Sequence, residues 1–478
     1  MNQERHEKSQ TKIVATIGPA SSSKEILRQL FFEGIDVCRL NFSHGRHEDH
    51  GKIISNVLEL NQELNSNVAI LADLQGPKIR IGQVENNEIE LLEGQEIELT
   101  TREIIGTSSK IFISYRELPQ DIEVGEPILM DDGKIELQVT RTDRKENVTA
   151  RVLHGGILSS KKGVNLPRTK ISVPSLTPKD LADADFALDH DVDWIALSFV
   201  RSASDILDLK KIIKDKGKHT KVIAKIEKPE ALDDIDNIID VSDGIMVARG
   251  DLGVEVSFDK VPVIQKKLVD KSIQKAKPVI IATQMMESMI NNFRPTRAEA
   301  NDVANAVLDG ADALMLSAET ATGKYPVEVI RSMQRIVDWT ENNGFVYNRI
   351  HDPLEPSENF LPDSICANAS NIARITKAQA IVVLTHSGYT AFRISSHRPN
   401  AEIFAYTPNK GLLRQMSLLW GVRAFHFQFF KDINLVLKES ANFLKEKRLS
   451  KQGDKIIHVA SLPLNEQGKT NMIRIGIV

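Results

Sequence analysis

The chain has 478 residues, 41% of them hydrophobic, and a formal charge of -4 from 61 Lys and Arg against 65 Asp and Glu. That length fills roughly three domains of ordinary size, and so balanced a charge excludes a bulk electrostatic role on nucleic acid or an anionic membrane; an anionic ligand must be held locally. Two cysteines, Cys38 and Cys366, each inside an apolar pattern, exclude a disulfide framework and fit a reducing cytoplasm, while the charged 1–10 segment and the lack of any span-length apolar run speak against export or membrane insertion.

In chain order, strand-like apolar runs occupy 12–17, 36–40 and 68–72, then 194–199, 222–226, 244–247, 279–282 and 313–316, with helical patterns between them. Ser21-Ser22-Ser23 precedes one such helix and Gly34 closes it; Thr177-Pro178 caps another; Thr296 with Glu299 forms a capping box on a third, which Gly310 ends. Eight alternating strand and helix units predict an α/β fold built on a TIM (β/α)₈ barrel.

About a hundred residues interrupt the rhythm after the third strand. There 87–100, 110–115, 127–130, 134–140 and 147–153 alternate polar with apolar residues, and Asp131-Asp132-Gly133 is a hairpin signal, so an inserted β domain is expected. Beyond Gly344 a helix near 362–376 and strands at 380–384, 402–406, 422–427, 455–460 and 472–478 predict a separate α/β domain.

The chemistry lies where the barrel runs end, because a buried parallel strand opens onto solvent only at its carboxyl end. Ala224-Lys225-Ile226-Glu227, Val247-Ala248-Arg249-Gly250-Asp251, Ile281-Ala282-Thr283-Gln284, Leu316-Ser317-Ala318-Glu319 and Arg39-Leu40-Asn41-Phe42-Ser43 each close an apolar run with charge or hydroxyl. Glu227 and Asp251, on neighbouring strands, are a carboxylate pair suited to Mg²⁺, or Mn²⁺ in its place, with water and substrate oxygens completing the shell. Solvated loop acids are the plain alternative. Lys225 weighs against it, standing two residues before Glu227 and so on the same side of the strand. One ammonium about 4 Å from a migrating phosphoryl group is worth roughly 4 kcal/mol at an effective dielectric near 20.

Gly250-Asp251-Leu252-Gly253 offers backbone amides to a carboxylate or a phosphate, a weak signal taken alone. Thr283, Ser317 and Glu319 form a set able to pass a proton through ordered water to carbon. Arg39, Asn41, Ser43 and His44, with Arg80, complete a ring suited to a phosphate and a nucleotide.

Longer segments carry a resemblance. Asn41-Phe42-Ser43-His44-Gly45, Asp73-Leu74-Gln75-Gly76-Pro77-Lys78-Ile79-Arg80, Lys161-Lys162-Gly163-Val164-Asn165-Leu166-Pro167, the 246–255 stretch around Arg249-Gly250-Asp251, Ala282-Thr283-Gln284-Met285-Met286-Glu287-Ser288-Met289 and Leu316-Ser317-Ala318-Glu319-Thr320 are, in this order, similar to the pyruvate kinase family. The resemblance spans nearly the whole chain. It implies a barrel domain over 1–76 and 174–344, an inserted β-barrel domain over 77–173 acting as a mobile lid, and a C-terminal α/β regulatory domain over 345–478. It also implies transfer of phosphate from phosphoenolpyruvate to ADP, giving pyruvate and ATP, in a cytoplasmic homotetramer.

By the same resemblance Glu227 and Asp251 bind Mg²⁺ and Lys225 stabilises the phosphoryl group in flight. The backbone from Ala248 through Arg249 and Gly250 to Asp251, with Thr283, holds the substrate carboxylate, and Arg39 its phosphate. Thr283 with water, Ser317 and Glu319 protonates the enolate, and Arg39, His44, Arg80 and Lys162 contact the nucleotide. Potassium-dependent members have Thr and Glu where this chain has Leu74 and Lys78, and hold their monovalent cation at positions matching Asn41, Ser43, Asp73 and the carbonyl of Leu74. Lys78 therefore implies activity without added K⁺; a solvated surface lysine is the alternative. Thr385-His386-Ser387-Gly388-Tyr389-Thr390-Ala391 resembles the family's segment for a phosphorylated regulator, implying an effector site at Thr385, Ser387, Gly388 and Thr390. A capped helix start without a ligand is the alternative there.

Two other function classes use some of these residues. A barrel lyase or mutase acting on phosphoenolpyruvate shares the metal and cation set but has no use for Lys162, Arg80 and a lid over a nucleotide. A regulatory binding protein shares the fold, yet would not retain Lys225, Glu227, Asp251 and Thr283 together.

Overall fold

The computed structural model describes residues 9–353, 357–429, 432–464 and 469–478. Among them eight parallel strands close into a barrel: β1 (Lys12–Thr16), β2 (Val37–Asn41), β3 (Ala69–Asp73), β4 (Trp194–Leu197), β5 (Lys221–Ile226), β6 (Gly244–Ala248), β7 (Val279–Ala282) and β8 (Ala313–Leu316). Each pairs with its chain neighbours, and β8 closes on β1 through Lys12 opposite Ala313 and Ala15 opposite Leu316. Alternate side chains fill the inside: Val14, Val37, Leu71, Trp194, Ile223, Met246, Ile280 and Met315 form one cluster. Their neighbours Ile13, Cys38, Ile70, Ile195, Ala224, Ile245, Ile281 and Leu314 pack outward against helices. Burial on both faces is why these strands read as continuous apolar runs.

The helices obey their caps. Ser23 accepts from the Ile26 amide and Gly34 closes that helix at φ 95°. Thr177 with Asp180, and Thr296 with Glu299, form complete capping boxes.

Between β3 and β4 the chain leaves the barrel and builds a six-stranded sheet and a two-stranded sheet around their own core, which includes Leu99, Ile111, Ile128, Leu137, Val148 and Leu158. Here the structure divides what the alternation over 87–100 joins. Glu88–Leu91 pairs with Gly156–Ser159, whereas Glu96–Thr100 pairs with Asn147–His154. The turn at Gly94, φ 84°, separates them. Gly156–Ser159 and Val164–Asn165 are strands the alternation passed over.

Among the described residues the C-terminal domain has five strands, β9 (Ala380–Leu384), β10 (Glu402–Thr407), β11 (Val422–His426), β12 (Lys455–Ala460) and β13 (Met472–Ile477), in the order β11-β10-β9-β12-β13, the first three pairings parallel and the last antiparallel. It grips the amino-terminal end of the barrel. Leu418 joins the barrel's inner cluster. Arg398 donates to Asp312 at 2.8 Å and to the Gly310 carbonyl at 2.7 Å, with its side chain 1% exposed. Arg414 holds both oxygens of Asp193 at 3.0 Å, yet burial still pushes that carboxyl up to about 6. Cys38 and Cys366 are buried free thiols, and among the described residues no helix is long and apolar enough to cross a membrane.

Candidate active site

At the carboxyl ends of the strands the polar residues converge. Lys225 Nζ, near the end of β5, lies 3.1 Å from Asp73 Oδ1 at the end of β3 and 3.0 Å from Glu227 Oε1. It also donates to Ser198 Oγ at 2.6 Å. Burial opposes the charge of this lysine, but Asp73 and Glu227, with Asp251 behind them, outweigh it and hold the ammonium above its ordinary pKa. Asp73 is the mirror case: burial works against its charge, and Lys225 and Arg39 overcome it, keeping the carboxylate ionised.

Arg39, from β2, donates through Nε to Asp73 Oδ2 at 2.7 Å and through Nη1 to Thr16 Oγ1, on β1, at 2.8 Å. The buried row Arg39, Asp73, Lys225 and Glu227 thus alternates in sign across four residues from three strand ends. Glu227 differs from Asp73, since burial and the neighbouring charge of Asp251 raise its pKa.

Among the described residues no group of three or more His, Cys, Asp or Glu is placed to hold a metal. Two carboxylates are what a hydrated Mg²⁺ bound partly by substrate asks for. Glu227 Oε2 accepts from the Phe199 amide at 2.8 Å, while buried Oε1 faces Lys225 without a formed hydrogen bond. An oxygen so placed fits a metal ligand.

Thr283 has φ 69°, a costly conformation for a β-branched residue. Two contacts hold it there: Arg249 donates to its carbonyl at 2.7 Å, and the Gly250 amide donates to its Oγ1 at 2.7 Å. Arg249 is anchored in turn by Asp302 at 2.7 Å. The side chain of Arg249 therefore braces the site, while the turn of helix Arg249–Glu255 supplies backbone. Glu319 is buried, accepting from the Ser317 amide at 2.7 Å and the Met286 amide at 3.3 Å. Burial raises its pKa, which suits a proton carrier.

The inserted β domain borders one side. Asn165 donates to Glu255 Oε1 at 2.8 Å, an oxygen that also pairs with Lys228 at 2.7 Å, and Arg201 holds the carbonyls of Ile171 and Val173. Lys78, Asp132, Asn165, Asp251 and Glu255 line the cleft between. Lys162 pairs with Asp131 at 2.7 Å, and Arg80 donates to the Lys161 carbonyl at 3.1 Å, so both cations stand on this domain. The pKa of His44 is lowered by burial and then by the charges of Arg80, Lys78 and Arg39.

Residues 8–330 match the family model for the pyruvate kinase barrel domain, and 363–476 that for the pyruvate kinase alpha/beta domain. The chain belongs to the pyruvate kinase family. It is 42% identical over 473 residues to the pyruvate kinase of Geobacillus stearothermophilus, covering 98% of this chain and 81% of that protein. Against the pyruvate kinase of Staphylococcus aureus strain MRSA252 it is 43% identical over 469 residues, covering 98% and 80%. A solved pyruvate kinase from Cryptosporidium parvum superposes with a TM-score of 0.92 at 36% identity, covering 98% of this chain and 96% of that one. Pyruvate kinases are phosphotransferases.

Other expected residues fall as follows. Asn41 Oδ1 accepts from the Ser43 amide at 3.1 Å, and the Leu74 carbonyl accepts from Ser198 Oγ at 2.6 Å. Lys78 Nζ reaches 4.0 Å from Asp251 Oδ1, so its charge leans toward the carboxylate pair. Near the C-terminal turn, Thr385 and Thr390 are buried. Thr385 Oγ1 accepts from the Gly388 amide at 2.9 Å, and Thr390 shares a hydrogen bond of 2.7 Å with Thr470. Gly388 takes φ 86° before helix Tyr389–Ser396, and Ser387 accepts from the Tyr389 amide at 3.4 Å. Sequence reasoning missed Ser198 and Thr16. Both carry the signal used elsewhere, a hydroxyl closing an apolar strand.

Proposed function

We propose that this chain transfers the phosphoryl group of phosphoenolpyruvate to ADP without requiring K⁺, and that a phosphorylated effector regulates it. The alternation of charge at Arg39, Asp73, Lys225 and Glu227 carries this reading. Arg39 binds the substrate phosphate, and Lys225 meets the three equatorial phosphoryl oxygens as the bond from phosphorus to the enol oxygen breaks and a bond from phosphorus to a β-phosphate oxygen of ADP forms, leaving the enolate. Glu227 and Asp251 would hold Mg²⁺, which would supply further positive charge to the substrate. Thr283 and the 248–251 backbone orient the carboxylate. A proton then reaches the enolate carbon from the Thr283, Ser317 and Glu319 side through water. The lid, taken as 77–173 inserted between barrel parts 1–76 and 174–344, carries Arg80 and Lys162 to the nucleotide opposite His44 and excludes water, the competing acceptor.

Lys78 supports the K⁺-independent reading through its field at Asp251 and His44, beside the loop of Asn41 and Ser43. A coupled assay following pyruvate, with ADP and Mg²⁺ in potassium or in tetramethylammonium salts, tests both parts. No turnover in either salt sinks the activity; strong potassium activation sinks the cation reading alone. For regulation by the 345–478 domain, the effector phosphate is assigned to Thr385, Ser387, Gly388 and Thr390, at the start of helix Tyr389–Ser396. Titrating ribose 5-phosphate, AMP, fructose bisphosphate and glucose 6-phosphate against phosphoenolpyruvate saturation tests it; no shift with any of them removes the site. Exposed Phe293 and Trp339, on neighbouring segments of the barrel surface, support assembly with further copies as a homotetramer in the cytoplasm.

A further inference from the structure

Ser198 follows β4, is 2% exposed, and touches three groups of the site, Lys225 and Leu74 closely and Asp73 Oδ1 only at 3.5 Å. Its Oγ accepts from Lys225 Nζ at 2.6 Å and donates to the Leu74 carbonyl at 2.6 Å. A hydroxyl has a single proton. With that proton given to Leu74, the oxygen lone pairs turn back to the ammonium, and the chain from Lys225 through Ser198 to Leu74 has one direction.

The other two contacts of Lys225, to Asp73 and Glu227 at 3.1 and 3.0 Å, are longer. Two contacts define an axis about which an ammonium swings; a third fixes it. Ser198 itself is held by crowding. Gly76, at φ 67°, comes so near that a Cβ added there would stand 3.0 Å from Ser198 Cβ and 2.8 Å from Phe199 Cδ2. The loop after β3 and the end of β4 are therefore in register, and the Leu74 amide donates to the Ala196 carbonyl at 3.0 Å to the same effect.

We propose that Ser198 is a positioning residue for phosphoryl transfer, aiming the Lys225 ammonium while its own proton occupies the Leu74 carbonyl that a monovalent cation would otherwise claim. The inference rests on the reading of Lys225 and the cation pocket given above. Loss of the hydroxyl frees the ammonium to swing and leaves that carbonyl open. Misplacement of about 1 Å at a reacting centre costs on the order of 10²-fold in rate.

The test compares wild type with S198A in the coupled assay, in potassium and in tetramethylammonium salts, with thermal denaturation as the folding control. The expected result in tetramethylammonium is a kcat lower by about 10- to 100-fold with the KM for phosphoenolpyruvate within about twofold, since orientation in the transition state and not binding is lost. Potassium is expected to recover about fivefold or more of the variant's turnover while leaving wild type unmoved. Wild-type kcat in S198A, or a loss that falls on KM instead, overturns the positioning role; an equal loss in both salts overturns occupancy of the Leu74 carbonyl. Should S198A be unstable, S198C, close to serine in size but a much weaker hydrogen-bond partner, makes the same comparison. A wild type that itself needs potassium defeats the K⁺-independent reading, and S198A in saturating potassium then still decides the positioning role.

Discussion

At Lys225 the neighbouring carboxylates keep a buried ammonium charged, and removing it should separate the two halves of the reaction. Lys225→Met is expected to lower phosphoryl transfer by at least about 10³-fold, the upper range for one lost electrostatic contact in a closed site. Metal-dependent exchange of the methyl protons of pyruvate, followed by deuterium incorporation, should survive, because Thr283, Ser317 and Glu319 are untouched. Loss of both activities in a folded variant would show that the lysine serves the whole site. Lys225, Glu227, Asp251, Thr283 and Arg39 were legible in the sequence because each breaks an apolar run at its open end. The contacts of Asp73 were not. Sequence assigns it to a cation pocket, whereas its burial between Lys225 and Arg39 depends on three strands meeting. Lys78 is a similar case, since a side chain that long can reach Asp251 or solvent, and spacing along one strand does not choose.

The inserted β domain, proposed as the lid, meets the barrel at Glu255, a carboxylate 5% exposed that serves Asn165 and Lys228 at once. Glu255→Ala strands the buried Lys228 ammonium and should cost about 3–5 kcal/mol, read as a lowered Tm or denaturant midpoint. Asn165→Ala removes one neutral donor and should cost within about 1.5 kcal/mol while making the lid easier to cleave in limited proteolysis. Equal sensitivity to protease in the variant and wild type would mean that this bond does not restrain the lid. The barrel elements could be read closely because strands buried on both faces admit little but apolar residues. Lid strands were harder. Gly156–Ser159 is too short for alternation to register, and 87–100 keeps its alternation through a turn that only the Gly94 backbone reveals.

Across the whole molecule, two buried imidazoles make the C-terminal domain sensitive to acid. Burial pushes His458 down to about 4 and His397 down to about 3, with His351 and nearby arginines adding to the second shift. Between pH 6.5 and about 4 the unfolded chain takes up protons that the native domain refuses, so stability falls as pH falls. For His458 this is worth about 3 kcal/mol once fully expressed. His458→Gln should therefore lose less Tm than wild type between pH 7 and 4.5, and parallel curves would refute the assignment. If the proposed homotetramer forms through Phe293 and Trp339, Phe293→Glu with Trp339→Glu should sediment as a smaller species than wild type; equal sedimentation of the two would remove this surface from the proposal. The arginine clamps beneath the barrel bear on the catalytic end as well. Asp193 and Asp312, held by Arg414 and Arg398, immediately precede β4 and β8, and those strands end at Ser198 and at Ser317 with Glu319. Four residues of extended chain, about 13 Å, are all that separates each clamp from the reaction centre. A tilt of the distal domain would therefore act on Ser198 and Ser317 through two short buried strands.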